Sequence, residues 1–174
     1  MSRNIELKAR YADLTVAADI AAAMGAEREG VEWQRDTYFQ VNSGRLKLRQ
    51  RRPEGRPEEN QLIGYHREDH TGSRGSDYRL IPIDDGQALR STLTNTLGTR
   101  KEVIKQRTVY RLNRVRIHLD DVENLGIFIE FEAIVDDQCE ESSAWAKVKS
   151  LSQQFRIDPN DVIGASYVDL QQNL

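Results

Sequence analysis

The sequence predicts an α+β protein built on a closed, eight-stranded antiparallel β-barrel with helices packed on its outside. Three observations carry this expectation. Apolar and charged residues alternate through eight segments, the period-2 pattern of strands with one apolar and one polar face. Most links between these segments are short, which favours antiparallel neighbours. Few stretches show the three-to-four residue spacing of helices.

The first strand is expected from Arg3 to Tyr11, the second from Val31 to Val41 and the third from Arg45 to Arg52, the last two joined by a turn at Asn42-Ser43-Gly44. A charged, proline-containing loop, Pro53 to Glu59, precedes a fourth strand over Asn60 to Arg67. A polar loop, Glu68 to Gly75, leads into a fifth over Ser76 to Ile83. The last three strands fall at Lys101 to Leu112, Arg114 to Asp121 and Ile127 to Asp136. Eight strands with short links can close on themselves, which removes their edges. Asp13 caps a covering helix that runs through Met24 and stops at Gly25, with Leu14, Ala17, Ala21 and Met24 on one face. A second helix starts at the capping-box pattern of Asp84 and Gln87, carries Leu89, Leu93 and Leu97, and ends at Gly98. Trp145, Val148, Leu151 and Phe155 mark a third, and Asp158-Pro159 offers an N-cap with proline at N1 for a short fourth.

Composition narrows the function classes. A chain of 174 residues fits one domain, 1–174, that buries its own core. No apolar run approaches the length that crosses a bilayer, and Met1 to Glu6 lacks the apolar stretch of a signal peptide. Cys139 is the only cysteine, so no intrachain disulfide forms and a reducing, cytoplasmic setting with no membrane partner is expected. Asp136, Asp137, Glu140 and Glu141 around Cys139 oppose thiolate chemistry, so it reads as incidental. A net charge of −3 argues against nucleic-acid binding, which needs a broad electropositive surface. A monomer or a homodimer both fit.

The placement of the charges is more informative than their sum. On the first strand Ile5, Leu7, Ala9 and Tyr11 share one face, which leaves Asn4, Glu6, Lys8 and Arg10 on the other. The third sets Arg45, Lys47, Arg49 and Arg51 against Leu46 and Leu48. The sixth places Lys105 and Arg107 together, the seventh Arg114, Arg116, His118 and Asp120, and the eighth Glu130 and Glu132. A one-sided sheet with a solvated polar face would show the same alternation. Two features count against that reading: cations and carboxylates are segregated by strand, where a solvent face intersperses signs, and a closed sheet covered by helices turns its ionic face inward. Buried cations are costly unless an anion neutralises them, and a polyphosphate is the natural counter-ion. Carboxylates beside it offer the hard oxygen ligands that Mg²⁺ or Mn²⁺ takes. Arg10 and Arg51 near strand ends read as surface residues, His118 as a hydrogen-bonded spectator, and Asp36 and Tyr38 as lying outside the site.

Ile5-Glu6-Leu7-Lys8-Ala9-Arg10 resembles the Glu-x-Glu-x-Lys signature of CYTH-domain proteins, the triphosphate tunnel metalloenzymes. The resemblance continues in order through Asp36-Thr37-Tyr38-Phe39, Arg45 to Arg49, Lys105-Gln106-Arg107, Asp120, Leu125-Gly126, Glu130-Phe131-Glu132 and Ser166 to Leu170. It implies a tunnel of eight antiparallel strands holding triphosphate and metal. Carried over by position, it implies phosphate ligands at Lys8, Lys47, Arg49, Lys105, Arg107 and Arg116, with Arg67 and Arg79 added from the fourth and fifth strands. Of these, Lys8, Lys105 and Arg107 are the implied catalytic cations. The implied metal ligands are Glu6, Asp120, Glu130 and Glu132, with Mg²⁺ or Mn²⁺ as the metal. Asn4 departs from the signature, standing where the family has its first glutamate.

Three functions compete on this scaffold. The first is a class IV adenylate cyclase-like reaction, ATP to cyclic AMP and pyrophosphate. The second is hydrolysis of tripolyphosphate or thiamine triphosphate, and the third a binding module that has lost catalysis through Asn4. In each the partner is a small triphosphate compound.

Overall fold

The computed structural model describes residues 2–66, 74–136 and 139–171. It is an α+β fold in which one antiparallel sheet of eight strands curls round a charged interior. The strands are β1 (Ser2–Arg10), β2 (Glu27–Phe39), β3 (Arg45–Pro53), β4 (Glu59–His66), β5 (Arg74–Ile83), β6 (Thr99–Leu112), β7 (Val115–Val122) and β8 (Gly126–Val135).

Hydrogen-bonded neighbours follow the order β1-β5-β4-β3-β2-β6-β7-β8, and β1 pairs again with β8. The β1–β8 ladder runs from Arg3 to Arg10, and among the described residues β1 pairs with β5 over Ser2–Glu6. The sheet is therefore curled, with its neighbours in the strand order of a barrel.

Strand β2 begins earlier than the alternation suggested. A register shift between Arg28 and Gly30 lets it continue, and Gly30 adopts φ 140°, a conformation that residues with a Cβ rarely reach.

The apolar faces point outward under helices α1 (Leu14–Ala23) and α3 (Glu141–Gln154). Ile5, Ala9, Ile117, Ile129 and Phe131 are fully buried against Ala17 and Ala21 of α1 and Ala144 and Val148 of α3. Asp13 caps α1 as expected, its Oδ1 accepting from Thr15 N at 2.7 Å. Trp145 departs from the expected face: the stripe of α3 is Ala144, Val148 and Leu151 with Phe155 at the C-cap, and Trp145, one residue round the helix, is 39% exposed.

Helix α2 (Gly86–Leu97) also differs. Its N-cap is Asp85 rather than Asp84, with Oδ1 accepting from Ala88 N at 2.8 Å, and it buries only Gly86. Leu89 and Leu93 are partly buried and Leu97 is 39% exposed, so α2 covers the curled sheet less closely than α1 and α3 do. The chain then makes a 3-10 turn at Pro159–Asp161 and a last turn of helix, α4 (Tyr167–Leu170). Tyr167 and Val168 pack with Tyr38, Val103, Val122 and Phe128 and fill one end of the curled sheet. Among the described residues no helix is long and apolar enough to cross a membrane.

Candidate triphosphate site

The inner face encloses a cavity of about 370 Å³. It is lined by Glu6 and Lys8 of β1, Lys47, Arg49 and Arg51 of β3, Lys105 and Arg107 of β6, Arg116 and His118 of β7, and Glu130 and Glu132 of β8. These are the charged positions that strand parity turned inward.

Three carboxylates hold the cations, Asp36 and Asp120 buried and Glu130 partly so. Asp36, 3% exposed on β2, accepts from Lys47 Nζ at 2.7 Å and from Arg49 Nε and Nη2 at 2.7 Å each. Asp120, fully buried on β7, accepts from Arg107 Nε at 2.6 Å, Arg107 Nη2 at 2.7 Å, Lys105 Nζ at 3.1 Å and the Tyr167 hydroxyl at 2.8 Å. Glu130 lies 3.4 Å from Arg107 Nη2 and 3.7 Å from Lys8 Nζ. The ring of Tyr167 sits under the cations, its centroid 4.1 Å from Lys8 Nζ and 5.0 Å from Lys105 Nζ.

Burial acts on every one of these groups. It would raise the carboxyls, but Arg49 and Lys47 hold Asp36 well below the usual carboxylate range; Arg107 and Lys105 do the same to Asp120, and Lys8 and Arg107 to Glu130. The lysines go the other way. Burial, then the charge of Arg49, pushes Lys47 down to about 7, and burial, then Arg107, pushes Lys105 down to about 8. Burial and the charge of Arg107 keep His118 well below the ordinary imidazole value, so it is neutral at pH 7.

A testable pH dependence follows. A bound polyanion favours protonated Lys47, so above pH 7 binding must take up a proton, and affinity falls as the pH rises, by at most about tenfold per unit. Titration of tripolyphosphate from pH 7 to pH 9 should show this fall in the wild type. The Lys47→Arg variant, which stays charged, should show a shallower one. Equal slopes would remove Lys47 from the binding site.

Several expectations need correction. Arg79 is exposed on the outer face of β5, because its neighbours Tyr78 and Leu80 are the residues that turn into the cavity. Arg67 lies outside the described residues. Asp120, expected as a metal ligand, has both carboxylate oxygens taken by Lys105, Arg107 and Tyr167 and does not line the cavity. Arg51 is not a surface residue: it lines the cavity, 3.1 Å from Glu32 and 2.5 Å from Glu59. Arg10 is exposed, as expected. His118 also lines the cavity, with Nε2 3.8 Å from Glu132 and Nδ1 without a hydrogen-bond partner among the described residues. Asp36 and Tyr38, left outside the site, both line it, and so does Tyr167.

The donors suited to a divalent metal are Glu6, Glu130 and Glu132. Glu6 and Glu132 are direct partners across the β1–β8 ladder, and Glu130 is next along the same face of β8. Two carboxylates facing each other repel unless a cation joins them. Glu132 meets Arg116 Nε at 3.0 Å and accepts from the Asn4 amide, so the neutral side chain at the variant position supports a carboxylate of this set. Among the described residues no three acidic, histidine or cysteine side chains already stand in a metal-holding group. The oxygen chemistry of these three nevertheless fits Mg²⁺ or Mn²⁺.

With the geometry in place, comparison with known proteins is decisive on one point: the CYTH domain family model matches residues 2–167. This chain belongs to the CYTH family.

One curated relative, "Putative adenylate cyclase MJ0240" of Methanocaldococcus jannaschii, is 26% identical over 93 residues, 52% of this chain and 53% of that protein. The match thus spans about half the length of that relative. Among solved structures, PH1012 of Pyrococcus horikoshii OT3 superposes with a TM-score of 0.82 at 22% identity, covering 98% of this chain and 99% of the other. The Hippeastrum protein HpAC1, described as an adenylyl cyclase candidate with a dominant triphosphatase activity, gives 0.66 at 16% identity over 99% and 96%. At these identities the structural matches speak for the fold. The CYTH fold is thus common to proteins named for cyclisation and for hydrolysis.

Proposed function

We propose that this single-domain CYTH chain is a metal-dependent enzyme that closes its curled sheet as a tunnel round a triphosphate, and that its reaction is class IV adenylate cyclase-like. The observation that carries the reading is the convergence of Lys8, Lys47, Arg49, Lys105 and Arg107 on one cavity, each facing a carboxylate of the inner wall. These five cations meet Asp36, Asp120 and Glu130 directly, so their cluster carries local positive charge for an anionic ligand, while Glu6, Glu32, Glu132 and the other lining carboxylates balance the cations round the whole cavity. A metal ion beside those carboxylates would tip the balance toward the anion.

Each part of the chain has a role in this reading. Lys8, Lys105 and Arg107 bear on the reacting phosphoryl group, while Lys47, Arg49 and Arg116 hold the rest of the triphosphate. Asp36 and Asp120 are positioning residues that fix those cations before the ligand arrives, so little reorganisation accompanies charge development in the transition state. Glu6, Glu130 and Glu132 would hold Mg²⁺ or Mn²⁺, which supplies Lewis-acid polarisation of the phosphoryl oxygens when bound. In cyclisation the ribose 3′-oxygen attacks the α-phosphorus, its proton passes to solvent, and pyrophosphate leaves against the basic wall.

The second reading, a triphosphatase in which water attacks the terminal phosphorus, is favoured by the activity ascribed to the Hippeastrum protein on the same fold. The single cysteine is the ground for proposing a reducing, cytoplasmic setting.

Incubation with ATP or tripolyphosphate and Mn²⁺ separates the readings by product: cyclic AMP with pyrophosphate for the first, orthophosphate for the second. Tight binding without turnover would leave a binding module. At 100 times its dissociation constant the ligand should stabilise the fold by about 2.7 kcal/mol and raise the melting temperature. An unmoved transition at saturating ligand would contradict all three.

A further inference from the structure

Charge is not spread evenly round the cavity. Strands β1, β2, β3, β6, β7 and β8 each turn ionic side chains inward, whereas the described residues that β4 and β5 contribute are Gln61, Ile63, Tyr65, Tyr78 and Leu80. None of these five is charged at neutral pH. They form a compact patch, because Ile63 pairs directly with Leu80 and Tyr65 with Tyr78 across the β4–β5 ladder. Ile63 is buried, but Leu80 is 40% exposed although it faces inward.

The patch adjoins the phosphate side. On the β3–β4 ladder Lys47 is the direct partner of Ile63, and Arg49 the direct partner of Gln61. Side chains opposite one another in such pairs have Cβ atoms about 4.5–5.5 Å apart. A phosphoryl group held by Lys47 and Arg49 therefore has this uncharged wall within one side chain's reach.

An inorganic tripolyphosphate is anionic along its whole length, so an apolar wall would remove its water and offer nothing in exchange. A flat ring gains from the same wall: apolar burial on Ile63 and Leu80, stacking on a tyrosine face, and an amide at Gln61 that both donates and accepts. The cavity volume of about 370 Å³ lies in the range of roughly 300–1,000 Å³ that houses organic ligands.

We propose that the β4–β5 wall, centred on Tyr78, Leu80 and Ile63 with Gln61 at its border, seats the base of a nucleoside triphosphate and makes the site selective for organic over inorganic triphosphate. The proposal rests on the triphosphate reading of the cavity and names the part of the substrate that the cations do not touch.

The test is calorimetric titration of ATP and of tripolyphosphate, with EDTA present so that metal-dependent turnover does not intervene. In the wild type ATP should bind at least about tenfold more tightly than tripolyphosphate. Tyr78→Ala should weaken ATP by about tenfold while leaving tripolyphosphate within about twofold. Leu80→Ala, at a half-exposed position, repeats the comparison with less risk to folding. Equal affinities in the wild type, or equal losses for both ligands in the two variants, would overturn the proposal. So would thiamine triphosphate binding more tightly than ATP, which would assign the wall to another ring. If tripolyphosphate binds and ATP gains nothing, only the wall is misassigned. If neither ligand binds, either in EDTA or with Mn²⁺ present, the triphosphate reading falls with it.

Discussion

Arg107→Ala is expected to lower stability by about 3–5 kcal/mol and to cut turnover by about 10²–10³. Arg107 makes two hydrogen bonds to Asp120, which is fully buried, and also faces Glu130. Its removal leaves a carboxylate in the interior with only Lys105 and the Tyr167 hydroxyl as partners, and stranded buried charge is the most costly consequence of breaking such a pair. Turnover falls for a separate reason, the loss of a preorganised donor at the reacting phosphoryl group. Urea unfolding and kcat measured on the same variant distinguish the two effects. Arg107→Lys keeps the charge but not the two-pronged geometry, so it should recover part of the stability and less of the turnover. A stability change under about 1 kcal/mol in Arg107→Ala would mean that Asp120 is not held as described.

Glu132→Gln is expected to lower metal-dependent turnover by about 10² or more, with little change in unfolding midpoint. The substitution conserves shape and can still accept from Asn4, but it removes one hard anionic ligand and breaks the like-charge partnership with Glu6. Mn²⁺ affinity, read by electron paramagnetic resonance in the presence of tripolyphosphate, should fall in parallel. Glu130→Gln should act in the same direction, with some loss of stability because Lys8 and Arg107 lose a counter-charge. Unchanged Mn²⁺ affinity in both variants would place the metal elsewhere.

Much of this site was legible because a strand reports its two faces in its parity. On β1, β7 and β8 one apolar face made the other face unambiguous, on β3 and β6 the run of alternating cations marked it, and Lys8, Lys47, Arg49, Lys105, Arg107, Glu130 and Glu132 all line the cavity. The same signal was available on β2, where Glu32, Gln34, Asp36 and Tyr38 alternate into the cavity. It was obscured because the outward residues Trp33, Arg35 and Thr37 are not uniformly apolar. On β5 parity gave no direction: Tyr78 and Leu80 face in while Ile81 is exposed outside, so both faces carry apolar residues and Arg79 could be placed on either. Tyr167 lies on a helix of four residues, too short for any periodicity. The position of Asp120 was readable but not its engagement, since sequence does not reveal that three side chains already satisfy its oxygens.

If the five converging cations hold a triphosphate, the anion adds to Asp36, Asp120 and Glu130 as their counter-ions. This arrangement is tested most directly by a crystal structure grown with tripolyphosphate and Mn²⁺, using anomalous scattering to locate the metal. Phosphoryl oxygens are expected within hydrogen-bond reach of Lys8, Lys47, Arg49, Lys105 and Arg107, with an anomalous peak beside Glu130 and Glu132. An anion bound on the outer surface, with no phosphoryl oxygen near those five cations, would contradict it.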